Sequence, residues 1–102
     1  MADNNNLLIE VEAAKSFLRV DYNDDDDYIQ ELIEAAEKYI GGAMDRPVNR
    51  EDPRVLLLCK VLVKDWYDNR NFMARQPSEK VRHTVQTILT QLKYEISESG
   101  AG

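Results

Sequence analysis

From Tyr28 to Ile40 the apolar residues return every three or four positions. Tyr28, Ile29, Leu32, Ile33, Ala36, Tyr39 and Ile40 fall on one side of a helix, while Asp27, Glu31, Glu34 and Lys38 fall on the other. The spacing predicts a helix over about 25–40, stopped by Gly41 and Gly42. The same test finds three more helices. "VEAAKSFL", about 11–18, sets Val11, Ala14, Phe17 and Leu18 on one face, and "RVDYN" follows as a turn. A third helix, about 53–70, opens on Asp52 as cap with Pro53 at its first position. Val55, Leu56, Leu58, Cys59, Leu62, Val63, Trp66 and Tyr67 cover most of its circumference, so it is expected to be central. The fourth, about 79–95 with Ser78 ahead of it, carries a stripe of Val81, Val85, Ile88, Leu89, Leu92 and Ile96. No stretch alternates as a strand would. The fold class expected is all-α, a small bundle of about four helices in a single domain over 1–102, with an ordered core of about 9–96 and flexible ends at 1–6 and 97–102.

Asp24 to Asp27 form an unbroken run of aspartates directly before the second helix. A calcium loop of the helix–loop–helix kind needs oxygen ligands at set positions, glycine at the sixth and glutamate at the twelfth. Counting from Asp21 puts Asp26 at the glycine position and Leu32 at the glutamate position. Counting from Asn23 recovers Glu34 but places Tyr28 where glycine belongs, inside the helical pattern. The run reads better as the start of a helix. Asp24 or Asp25 caps it, and the remaining carboxylates sit in the first turn, where the helix dipole favours negative charge. Capping alone does not use all four charges.

Composition narrows the function. The net charge of −6 argues against sequence-independent DNA binding, which needs a basic footprint. A single cysteine, Cys59, excludes an internal disulfide and a cysteine-based zinc site, and its apolar neighbours mark it as a core residue. His83, the one histidine, falls away from the apolar stripe of its helix and reads as surface. No glycine-rich phosphate loop or nucleophile motif is present, so no catalytic, cofactor-binding or metal-binding residue is assigned and no enzyme is expected. "MADNNN" has neither the basic nor the apolar part of a signal peptide. "DWYDNR" pairs two aromatics with Asn69 and Arg70 at a helix end, as core or as a protein contact.

Three stretches together resemble the phage head–tail connector family, small adaptors that form a ring beneath the portal of long-tailed phages, some of them described as DNA-packaging proteins. "EAAKSFLRVD" is similar to the family's opening helix and its exit, "DDDDYIQELIEAAEKYI" to its acidic helix start and second helix, and "VLLLCKVLVKDWYDNR" to its central helix. The likeness runs through most of 9–94 and is looser over 71–78 and the last helix. It implies a structural subunit without catalysis or cofactor. It further implies a closed homo-oligomeric ring of about twelve copies, with the portal protein and a tail or tail-completion protein as partners. DNA would pass through the channel without specific binding, and no membrane is involved. The expected location is the head–tail junction of the virion, reached from the host cytoplasm. A small nucleic-acid-binding protein of the packaging machinery is the competing reading. It would need a basic recognition helix, whereas Lys80, Arg82 and Lys93 stand between Glu79 and Glu95.

A ring joins one surface of a subunit to a different surface of the next. The candidate interface pairs an acidic stripe, Asp27, Glu31 and Glu34, with the cations Arg70, Arg75, Lys80 and Arg82 of a neighbour.

Overall fold

The computed structural model describes residues 7–44, 48–69 and 77–101, with 94–101 given by the backbone path alone. Among them lie four helices and no strand: α1 (Val11–Leu18), α2 (Asp26–Met44), α3 (Pro53–Asp68) and α4 (Glu79–Ala101). The protein is an all-α bundle.

The helix starts follow local chemistry. Asp52 Oδ1 accepts the Arg54 N–H at 2.9 Å, and Pro53, which has no N–H to satisfy, takes the first position of α3. The exit of α1 is set by Arg19, in the left-handed region at φ 64°, ψ 42°. Its N–H donates to the Ser16 carbonyl and that of Val20 to the Lys15 carbonyl, which closes the helix end and turns Val20 into the core.

Packing makes α2 and α3 joint centres. They share the most extensive contact, and each also meets α1 and α4. Ile29, Leu32, Ile33 and Ile40 of α2 and Leu58, Leu62, Val63 and Trp66 of α3 are shut off from solvent. Trp66 meets Tyr39 edge-on, with ring centroids 6.5 Å apart. α4 closes the other side through Val85, Ile88, Leu89 and Leu92.

Several details differ from the sequence expectation. Gly41 and Gly42 do not stop α2, which runs on to Met44. Glycine in a helix costs roughly 0.5–1 kcal/mol relative to alanine, and burial of Met44 one turn further on offsets this. α4 continues to Ala101 rather than ending near residue 95, since no glycine or proline interrupts it before Gly100. Leu56 and Tyr67 are half-buried, because α3 has an outer side. Phe17, placed with the apolar face of α1, is 38 % exposed. Leu7, Leu8 and Ile9, ahead of α1, are buried core residues without helical structure. Ile96 lies where side chains are not described, and residues 1–6 and 102 lie outside the described residues.

Candidate functional site

The four aspartates divide into two that point inward and two that face solvent. Asp25 stands just before α2, and its carbonyl accepts the Ile29 N–H at 2.8 Å, which makes it the capping position. Its carboxylate accepts the Tyr67 hydroxyl of α3 at 2.6 Å. That bond uses the one Tyr67 proton, so in the 3.2 Å contact of the two hydroxyls Tyr22 is the donor. Asp26 lies 2.9 Å from the Nζ of Lys15, a buried lysine of α1 that also donates to Asn23 Oδ1 at 2.6 Å. The bond with Asp26 raises the Lys15 pKa above its ordinary 10.5, against the opposing effect of burial, with smaller contributions from the charges of Asp26, Glu12 and Asp21. The acidic turn thus ties α1 and α3 to the head of α2. Asp24 and Asp27 remain exposed.

Asp27 continues into a single outward strip. Glu31, Glu34 and Lys38 are exposed along the side of α2 that faces away from the core. Among the candidate cations, Lys80 and Arg82 are both exposed on α4. Two residues apart, they sit about 200° around the helix from one another, so the fold puts them on different flanks. Arg70 and Arg75 lie outside the described residues.

Two features at the far end of α3 are not evident from the sequence. Asp65 is buried and receives three donors: the Ser78 N–H at 2.8 Å, the Ser78 hydroxyl at 2.5 Å and the Asn69 amide at 3.2 Å. This clasp holds the start of α4 to the end of α3. A short acidic residue on the buried side of an amphipathic helix was the available signal, since burial of a carboxylate demands partners. Beside the clasp lies a groove of about 570 Å³. Phe17 of α1, Val61 and Lys64 of α3, and Lys80 and Val81 of α4 line it. On α3, Trp66 and Tyr67 meet Tyr39 and Tyr28 of α2. Val61, Lys64 and Asp68, which line the groove, lie about half a turn from Trp66 around the same helix.

The chain matches the family model of the phage gp6-like head-tail connector protein over residues 8–98. The chain belongs to this connector family. Comparison with curated proteins and with solved structures gave no match. The connector is accordingly a structural protein of the phage virion. The matched region takes in all four helices, the acidic turn and the groove, leaving only the final residues of α4 outside.

The remaining chemistry of the connector is quiet. Cys59 is buried in α3, and loss of solvation pushes its thiol up from 9.0 to about 12, helped by the charge of Glu37 and opposed by Lys60 and Arg50. His83 is exposed. Trp66 of "DWYDNR" is core, Tyr67 joins the tyrosine–aspartate network, and Asn69 donates to Asp65. No described helix is long and apolar enough to cross a membrane.

Proposed function

We propose that this connector is one subunit of a closed ring docked beneath the portal, extending the DNA channel and receiving the tail or a tail-completion protein. The observation that carries this reading is the predominance of acid on the outer strip of α2, three carboxylates to the one lysine Lys38. Asp27, Glu31 and Glu34 are exposed at four- and three-residue spacing on a helix whose opposite face is fully buried. The strip makes no contribution to the core, and its charge fits a cation-bearing surface on a neighbour that includes Lys80 or Arg82, with Arg70 and Arg75 close in sequence. Exposed pairs of this kind give about 0–1 kcal/mol each, so they set register and partner choice more than affinity. A net charge of −6 also suits a channel through which DNA slides without being gripped. Assembly takes place in the host cytoplasm before the tail is joined.

Electron microscopy of the connector mixed with its portal tests the reading. Ring-shaped density below the portal is expected from the natural chain, and its absence counts against the proposal. Glu31→Lys with Glu34→Lys is expected to abolish that density, and Arg75→Glu with Arg82→Glu to restore part of it. Salt-sensitive retention on DNA by the isolated connector would instead favour a nucleic-acid-binding role.

A further inference from the structure

We infer that the row Glu79, Arg82, Gln86, Thr90 and Lys93 on the outside of α4 receives the acidic strip of α2 from a second copy of this chain, with the two helices running antiparallel. The inference rests on the ring reading for the place where copies meet, beneath the portal, and adds the receiving face and its register.

Both rows lie on surface that the bundle does not use. Asp27, Glu31, Glu34 and Lys38 are exposed within about 60° of one another around α2, and Asp24 is exposed just ahead of that helix. Glu79, Arg82, Gln86, Thr90 and Lys93 are exposed within about 80° around α4, whose other side is buried through Val85, Leu89 and Leu92. Glu34 accepts a long hydrogen bond from Gln30 at 3.4 Å. Among the described residues no ion pair within the subunit uses any of these side chains. Lys80 is on the other flank of α4, in a groove lined by Asp65, Asp68 and Glu79 against Lys64 and Lys80. That flank has more acids than lysines and does not complement an acidic strip.

Charge complementarity selects a second copy as the occupant. No acid occurs between Glu79 and Glu95, so the α4 row is basic or neutral except at its first position. The α2 row is acidic except at its last position, Lys38. Antiparallel pairing sets Lys38 against Glu79, Glu34 against Arg82, Glu31 against Gln86, Asp27 against Thr90 and Asp24 against Lys93. First and last members are 14 residues apart in both rows. Their steps stay within one residue of each other throughout, about 1.5 Å along a helix. Three of the pairs join opposite charges, and in the other two a carboxylate meets a side chain that can donate. Parallel pairing fails at both ends, with Asp24 against Glu79 and Lys38 against Lys93. Two α2 rows would set Asp27 against Glu34 and Glu31 against itself. The α4 row presents no apolar side chain, so the pairs fix register while each adds little affinity. Copies gathered on one portal meet at high effective concentration, which makes weak pairs sufficient.

Cysteine pairing tests this in the full-length chain bound to its portal. Two combinations are in register, Glu31→Cys with Gln86→Cys and Asp27→Cys with Thr90→Cys. Cys59 is buried and does not interfere. All the substituted positions are exposed, and far-UV circular dichroism equal to that of the natural chain confirms that each variant is folded. Under mild oxidation both combinations are expected to convert the monomer band into a ladder of covalent multimers on a non-reducing gel. Asp27→Cys with Arg82→Cys, which is out of register, is expected to leave the monomer, as is Gln86→Cys alone. Portal-bound ring density without a ladder from the two combinations overturns the register while leaving the ring intact. Dimers from Gln86→Cys alone overturn it too, in favour of contact between two α4 rows. No ring density from the natural chain overturns the ring itself. A charge test separates this register from a general attraction of acid to cation. Lys38→Glu makes the strip more acidic, yet it is expected to cause a loss of portal-bound connector because it faces Glu79. Lys38→Glu with Glu79→Lys is expected to restore binding. Unchanged or stronger assembly of Lys38→Glu rejects the register.

Discussion

At the scale of single residues, the buried carboxylate of Asp65 has most to lose by substitution. Asp65→Ala leaves the Ser78 N–H and hydroxyl without their acceptor. A loss of about 2–3 kcal/mol is expected from urea unfolding, in line with hydrogen bonds to a charged group. A loss below about 0.5 kcal/mol would show that water replaces the carboxylate at no cost. Cys59 makes a pH-dependent contribution. Its folded pKa lies above its unfolded one, so the unfolded chain ionises first as the pH rises. The contribution is intact below pH 9.0 and is lost progressively towards about 12. Lys15, also raised, acts in the same direction above its ordinary 10.5. The unfolding free energy of the natural chain, from urea titrations, should therefore fall more steeply between about pH 8.5 and 10.5 than that of Cys59→Ala, by about 1.4 kcal/mol per pH unit at most. Parallel curves for the two proteins would remove the thiol from the account. The core placement of Cys59 was legible in the sequence because its apolar neighbours recur at helical spacing. Burial of Lys15 was not, since its partner Asp26 is remote in the chain and only the fold brings the two together.

Whole helices show where pattern is sufficient and where it fails. Periodicity located all four, since a stripe of apolar residues has only one way to leave water. Helix ends were less legible. Gly41 and Gly42 have the residue type of a stop, but the tertiary contact of Met44 decides the outcome. Both glycines have ordinary negative φ, and a β-carbon at Gly42 would meet nothing within 4 Å. Gly42→Ala is therefore expected to stabilise the connector by about 0.5–1 kcal/mol, read as a higher denaturant midpoint. Destabilisation would show that α2 does not continue through this position in solution. The jointly central role of α3 has its own measure. Leu62 is completely buried, and Leu62→Ala should cost about 2–5 kcal/mol. A cost under 0.5 kcal/mol would place the helix at the periphery.

Across the whole molecule, acid is gathered on the outer strip of α2, where Asp27, Glu31 and Glu34 are exposed together. The acidic strip was readable in the sequence because it lies on one helix, and three- and four-residue spacing fixes its face. The groove was not readable, since Phe17, Val61 and Val81 come from three helices. On the proposed reading, in which this strip guides docking beneath the portal, assembly is expected to slow as salt rises from about 0.05 to 0.5 M, where screening shortens the reach of surface charge. A rate independent of salt, followed by light scattering, would assign the encounter to apolar contact alone. The clasp of Asp65 on Ser78 has a consequence for how such a chain varies. It fixes the two ends of the connection between α3 and α4 at 13 residues' separation in sequence. Doubling the length of a closed loop costs only about 0.6 kcal/mol in entropy. Extra residues between Arg70 and Gln76 would therefore leave the bundle standing, making this connection the place to graft an affinity tag and the stretch where related connectors can differ in length while keeping one fold.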